Sequence, residues 1–538
     1  MLRAHLRQLL EAELPDGDFA VTRPPNPAYG EFSSNAALRA ASVTRQSPAQ
    51  IGQTLLTRLA PAFDGRIELV AGRLNFFMSD HSIVESLERA AREGAHYGSG
   101  DALRGKRVLV EYVSSDPTGP LPFAAGRRAV IGEAICRLLE DQGARVTREF
   151  YLNDATTSSK NRLLGEGVAN YYLKAFGQDS PAPDGAFDNA FVRGVAAELT
   201  RRDGAKWLSA GAPERLAACS QAALDAAIES QRATLEKLGT RFDTWVSETA
   251  MVDDGRVAAA IEKLKSRGQT YENAGALWLK TSEFGDDADR VLQRGDGSPT
   301  YFAGDIAYHL WKVERDFDAV INVWNATHET YVPRTRAALK AAGAPDEKFE
   351  FVIAGGANLK RDGVPLRMGL SGSEILMNEE LQELDGDRLK LFFAKAEPAK
   401  TAEVDIETAA RDDENNPAYA VQLLPSRLAR LSREAQGRAA GASAAKADAS
   451  NVEWSAGERE LARLVALWPD TANEAATRRA PALVASFVLE MAAATRDLQG
   501  ATAPSAAPAA LRLELLRAAG FVAASALRVL GIEARDRF

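Results

Sequence analysis

Three acids and a tyrosine in this chain could together hold a cationic ligand. Glu111 lies at the end of a short β-branched run, Val108 to Val113, and Asp116 lies in the loop that follows. Tyr301 and Asp305 are four residues apart, on one helix face or across a strand-to-helix corner. A carboxylate can accept two parallel N–H bonds from a guanidinium, so such a set suits a guanidinium better than an ammonium. Taken alone, each carboxylate reads as a surface or helix-capping acid.

The elements that must position these groups are legible around them. Val108 to Val113 predicts a buried strand. A loop with Pro117, Gly119, Pro120 and Pro122 comes next. From Arg127 onward Val130, Ile131, Ala134, Ile135, Leu138 and Leu139 mark one helix face, which stops near Gly143. Val146 to Leu152 predicts a second strand. Strand, loop, helix and strand make the βαβ unit that opens a parallel nucleotide-binding sheet, and backbone N–H groups at the helix start can face a phosphate. Further on, Asp296 and Gly297 mark a tight turn. Ala319 to Trp324 (AVINVW) reads as a buried strand with NATHETY at its carboxyl end, the edge where parallel sheets bind ligands. Phe351 to Ile353 leads into the glycine-rich GGANLKRDGVPLRMGLSGSEILMNEEL. From about Thr156 to Lys280 the pattern is a largely helical insertion, to which no chemistry is assigned.

Composition narrows the class. A chain of 538 residues, 46% hydrophobic, holds three or four domains. No run of ~18 uncharged apolar residues appears, so no membrane span is expected. MLRAHLRQLLEAEL carries acids and reads as an amphipathic helix rather than a signal peptide. Cys136 and Cys219 read as buried small hydrophobes rather than a disulfide or zinc pair, which fits a reducing cytoplasm. Net charge is -9, so a nucleic-acid partner would need local basic patches.

EYVSSDPTGPL, then GRRAVIG, then REFYLND resemble the first half of the catalytic domain of a class I arginyl-tRNA synthetase, and the resemblance extends over nearly the whole chain. It implies an α/β fold: a parallel, Rossmann-like class I catalytic domain at about 98–395, with the insertion at about 156–280. An N-terminal α+β domain at 1–97 would lean on the tRNA elbow, with Glu31, Ser34 and Asn35 in its characteristic block; packing without RNA contact is the plainer reading. A C-terminal α-helical domain at 396–538 resembles an anticodon-binding domain. There Arg427, Arg430 and Arg433 recur beside a Leu424, Leu428, Leu431 stripe and would face tRNA, although a bare pattern of this kind reads as a solvated face. By resemblance Glu111, Tyr301, Asp305 and His328 map onto amino-acid-binding positions. Asp116 stands where the family usually has Asn. The implied partners are arginine and tRNA, with ATP and its magnesium as substrate, no tightly bound cofactor and no resident metal, in a cytoplasmic monomer.

The resemblance breaks at the chemistry. The His-Ile-Gly-His signature is replaced by Pro122, Phe123, Ala124 and Ala125, before Gly126, so both histidines are absent. Lys-Met-Ser-Lys is replaced by Arg367, Met368, Gly369 and Leu370, so one cation of two is kept. Each lost donor to transition-state charge costs on the order of 10²–10³ in rate. Arg127, Arg128, Lys360 and Arg361 are the candidate replacements, Arg128 standing where a small residue is usual. Three functions fit: an arginine–tRNA ligase; an inactive paralogue that binds arginine, tRNA or a protein partner; and an enzyme using the fold for another adenylation or arginyl transfer.

Overall fold

Five short strands form a wholly parallel sheet: β1 (Arg107–Tyr112), β2 (Arg145–Leu152), β3 (Thr244–Ser247), β4 (Ala319–Asn325) and β5 (Phe349–Ala354). Their order is β5-β4-β1-β2-β3. The computed structural model describes residues 2–15, 17–155, 158–178, 181, 183–367, 374–439, 452–500 and 507–533. The predicted βαβ unit is β1, the helix α1 (Phe123–Asp141) and β2. Helix α1 starts four residues earlier than its apolar stripe suggests. Pro122 is the extended N-cap (φ -61, ψ 147), and its ring steers the residue before it away from helix. The helix lies directly on β1, for a Cβ at Gly132 would stand 2.3 Å from the Tyr112 ring. Both Cys136, on this helix, and Cys219 are free and buried.

The inserted block is helical over α2 (Ser159–Ala175), α3 (Ala190–Asp203) and α4 (Ala212–Lys237), with its own core of Leu164, Val168, Tyr172, Val192 and Leu199. It ends sooner than its pattern suggested. Residues 244–247 return to the sheet as edge strand β3, where Trp245 stacks on Phe150 with ring centroids 4.3 Å apart. Four residues are too few to show a period of two. Tyr301 and Asp305 share one helix, α5 (Tyr301–Glu314), whose start is capped by the Thr300 hydroxyl.

Helix α5 covers a polar row that crosses the sheet. Glu111 is in register with Asn322 on β4 and with Glu149 on β2. Each is satisfied from the helix side. Lys312 Nζ donates to Glu111 Oε2 and Asn322 Oδ1, both at 2.8 Å. Tyr308 donates to Glu149 Oε1 at 2.7 Å, and Arg315 forks onto the same carboxylate. Buried charges persist when paired and hydrogen-bonded in this way.

Residues 101–418 form one unit, and residues 1–100 together with 419–538 form the other. In the second unit a four-stranded antiparallel sheet (Val21–Thr22, Phe32–Ser34, Arg73–Met78, Gly65–Val70) belongs to the α+β block. The helices Leu424–Ala439, Ala456–Arg478, Pro481–Gly500 and Ala509–Leu530 belong to the α-helical block. The two blocks share a core. The Trp468 indole donates to Tyr97 O at 3.0 Å, the Tyr97 hydroxyl donates to Val465 O at 3.2 Å, and Gly98 (φ 91) leaves room for the Trp468 ring. Among the described residues no helix is long and apolar enough to cross a membrane.

Candidate functional site

Strand order reverses between β1 and β4, and at that switch point a cleft of about 1110 Å³ opens at the strands' carboxyl ends. Six carboxylates line it (Glu111, Asp116, Glu248, Asp305, Glu374 and Glu379) against the cations Arg128 and Lys160. Its two histidines add no charge at neutral pH: burial pushes His309 down to about 3, and burial with the nearby Arg128 lowers His328. The cleft therefore favours a cation.

The acids differ in how much charge they have to offer. Glu111 was expected to meet a ligand guanidinium, but Lys312 already balances it, and Ser114 Oγ donates to its other oxygen at 2.6 Å. Asp116 takes Lys160 at 2.6 Å and Asn153 at 3.0 Å. Asp305 has no side-chain hydrogen bond or ion pair among the described residues, and burial with the Glu248 and Glu111 charges pushes it up to about 7. Glu248, which the sequence reading missed, is also pushed up to about 7, by burial and then by Asp154 and Asp116. Its Oε2 is buried without a hydrogen-bond partner among the described residues. A signal for Glu248 did exist: it follows directly on the carboxyl end of a sheet strand, a stretch read as insertion. Two carboxylates that resist ionising in this way would ionise more readily beside a cation.

Tyr301, at the first position of α5 and 54% exposed, stands at the mouth. His328 packs between Trp324 and Tyr331, with ring centroids 6.2 and 5.3 Å away. Both line the cleft.

At the start of α1, Pro122, Ala124 and Ala125 line the cleft. Phe123 turns away onto Phe393 at 5.1 Å, and Gly126 backs onto Met377, whose sulfur would lie 2.4 Å from an added Cβ. The loop is pinned by Phe123 N–H to Ile375 O (2.9 Å) and Met377 N–H to Leu121 O (2.8 Å).

The two neighbouring arginines have opposite fates. Arg127 is fully buried, and its guanidinium donates to the carbonyls of Phe393, Gly355, Gly356, Ala396, Glu397, Pro398 and Lys400. All three of its nitrogens are spent on backbone, so the expectation that it meets phosphate is corrected. Arg128 faces the cleft and forms no ion pair among the described residues; burial brings it down to about 10, so it stays charged at neutral pH. The other expected replacements are paired elsewhere, Lys360 with Glu403 at 2.9 Å and Arg361 with Glu383 at 3.2 Å. Arg367 is exposed and does not line the cleft; Met368, Gly369 and Leu370 lie outside the described residues. Among the described residues no group of three or more His, Cys, Asp or Glu forms a metal-ligand set.

In the other unit, Leu424, Leu428 and Leu431 bury one face of their helix. Arg430 and Arg433 are exposed, and Arg427 is lowered by burial and by the like charges of Arg496 and Arg430. Glu31 and Ser34 are internal: they accept from the Met78 and Ala36 amides at 2.7 and 3.2 Å. Asn35 accepts from the Ala20 amide at 2.8 Å.

A switch-point cleft in a parallel sheet, with an α+β block and an α-helical block in the same chain, defines a class I tRNA synthetase architecture. Residues 219–412 match the class I (R) tRNA synthetase catalytic-domain model. Residues 1–78 match the arginyl tRNA synthetase N terminal domain, and 421–538 the DALR anticodon binding domain. An arginine–tRNA ligase of Oceanobacillus iheyensis is 32% identical over 541 residues, covering 99% of this chain and 96% of its own length. That of Desulforudis audaxviator is 35% identical over 550 residues, covering 99% and 97%. The Thermus thermophilus arginyl-tRNA synthetase structure has the same fold, with a TM-score of 0.79 at 23% identity over the full length of both chains. The chain belongs to the arginyl-tRNA synthetase family.

Proposed function

We propose that this protein joins arginine to its tRNA, with ATP and its magnesium as co-substrate, AMP and pyrophosphate as products, and no tightly bound cofactor. The observation that carries the reading is the pair Asp305 and Glu248, two cleft-lining carboxylates that form no ion pair among the described residues. A guanidinium would supply positive charge to both, and N–H donors to Asp305 and to the unpartnered Oε2 of Glu248. Tyr301 and His328 would close over the arginine, Glu111 would shape the floor, and Asp116 would take its α-ammonium. Arg128 is the cation assigned to phosphate charge, beside Pro122, Ala124 and Ala125 at the start of α1; Arg367, which does not line the cleft, is assigned there by its place in the Lys-Met-Ser-Lys signature alone. Met368 falls outside the described residues, and Phe123 and Gly126 serve packing. Arg427, Arg430 and Arg433 are assigned to tRNA. The working divisions are 1–97 for the tRNA elbow, 98–395 for catalysis and 396–538 for the anticodon, in a cytoplasmic monomer.

A second reading is favoured by one specific feature. The loop that should carry two histidines carries Pro122 and Ala125, and Arg127 is withdrawn into its carbonyl cage. A protein that holds arginine or tRNA without activating the amino acid would need neither. The deciding experiment is aminoacylation with purified protein, radiolabelled arginine, ATP and total tRNA beside an intact family enzyme. Charging within ~100-fold of that control (~2.7 kcal/mol of barrier) supports the ligase. Absence of charging while arginine or tRNA still binds supports the binding protein.

A further inference from the structure

The loop between β1 and α1 is held in a costly conformation. Val113 (φ 69) and Ser114 (φ 38) are consecutive non-glycine residues in the left-handed region. A β-branched residue there is an outlier, and such backbone persists only where its surroundings over-determine it. Part of the restraint comes from the sheet: Ser114 Oγ donates to Glu111 at 2.6 Å and accepts from the Tyr151 amide at 3.2 Å.

Further along the same loop, a restraint comes from the inserted helices. Gln231 on α4 is fully buried. Its Nε2 donates to Asp116 O at 3.0 Å and to Gly119 O at 2.9 Å, so both amide hydrogens are used on the loop. Its Oε1 is buried and has no hydrogen-bond partner among the described residues. One side chain thus fixes the span from residue 116 to residue 119. The same span carries the Asp116 carboxylate, which is set between Asn153 and Lys160, and leads into the start of α1.

We propose that Gln231 is a positioning residue: through it the helical insertion sets the loop that presents Asp116 and the α1 start to the cleft. The proposal rests on the arginine-binding reading for its ligand, but not for its geometry. Gln231 touches no reacting group; it acts through two backbone carbonyls. Without it, two loop carbonyls lose their buried donor.

The test uses the full chain and the variants Gln231→Met and Gln231→Glu. Amide hydrogen exchange at residues 113–116, 118 and 119, without ligand, should quicken about tenfold or more in Q231M while unfolding stays cooperative. Arginine affinity by calorimetry should fall about tenfold. In Q231E the deficit relative to wild type should deepen as pH rises, because an ionised carboxylate has no proton to donate; a mere loss of volume would not follow pH. Unchanged exchange, with an arginine Kd within twofold of wild type, overturns the proposal. Should Q231M fail to fold, Q231E carries the test on the same two readouts. If wild type takes up no arginine but exchange still quickens, the arginine reading falls and the role of Gln231 stands.

Discussion

Lys312 and Glu111 form a buried ion pair at 2.8 Å, with side-chain exposures of 0% and 6%, across 201 residues of sequence. Asn322 shares the ammonium. The pair turns what looked like a substrate carboxylate into part of the sheet. Removing one partner of such a pair leaves an uncompensated buried charge, a loss of about 3–5 kcal/mol. Lys312→Met is therefore expected to cost about that much in urea unfolding. The double variant Lys312→Met with Glu111→Gln should cost clearly less than the single one. Equal losses would show that Glu111 does not depend on Lys312.

Arginine affinity should rise with pH through neutrality. Asp305 and Glu248 are each pushed up to about 7, so the pair gains negative charge as pH rises from about 6 to about 8. A guanidinium needs the ionised forms, so binding near pH 7 should release protons, detected as a buffer-dependent calorimetric heat. The ligand-free protein should behave in the opposite sense. Both folded-state values lie above the ordinary 3.8 and 4.5, so the folded chain binds more protons there and loses stability as pH rises from about 4 through 7. Saturating arginine should flatten that slope. Asp305→Ala should abolish arginine binding in the same titration, and Glu248→Gln should weaken it about 10- to 100-fold.

Substituting the adjacent arginines should give different phenotypes. Arg127→Met strands a ring of buried carbonyls and is expected to destabilise the chain by at least about 3 kcal/mol. Arg128→Ala should leave the melting temperature nearly unchanged and weaken pyrophosphate or ATP binding. A stable Arg127→Met protein, or ATP binding indifferent to residue 128, would contradict this division.

Restoring His at positions 122 and 125, with Gly at 124, should raise any tRNA-dependent pyrophosphate exchange. Position 125 is the harder of the two, because Ala125 is fully buried and an imidazole there must displace neighbours. Testing Pro122→His alone separates the gain in chemistry from the cost in packing.

Much of the central unit is legible in the sequence because its signals are local. The Val108 run, the apolar stripe of α1 and the AVINVW strand each announce themselves within a dozen residues, and Tyr301 with Asp305 needs only helical spacing. What stayed hidden depends on distance in the chain. Neighbouring residues on a helix point about 100° apart, so nothing in the pair Arg127-Arg128 says which one finds a cage built from residues 355–356 and 393–400. The Lys312–Glu111 pair spans 201 residues. Glu248 was obscured by a strand of four residues, and Gln231 by a helix pattern that is plain except for this one buried amide.

The shared core of the terminal blocks also has a consequence for synthesis. Trp468 is made 371 residues after Tyr97, to which it donates. At ~5–20 residues per second, roughly 20–70 s separate the two on the ribosome. The residue 101–418 unit, contiguous in sequence, can complete itself in that interval. The first hundred residues cannot bury the Tyr97 and Gly98 surface until the late helices emerge, so they wait through most of translation with apolar groups uncovered.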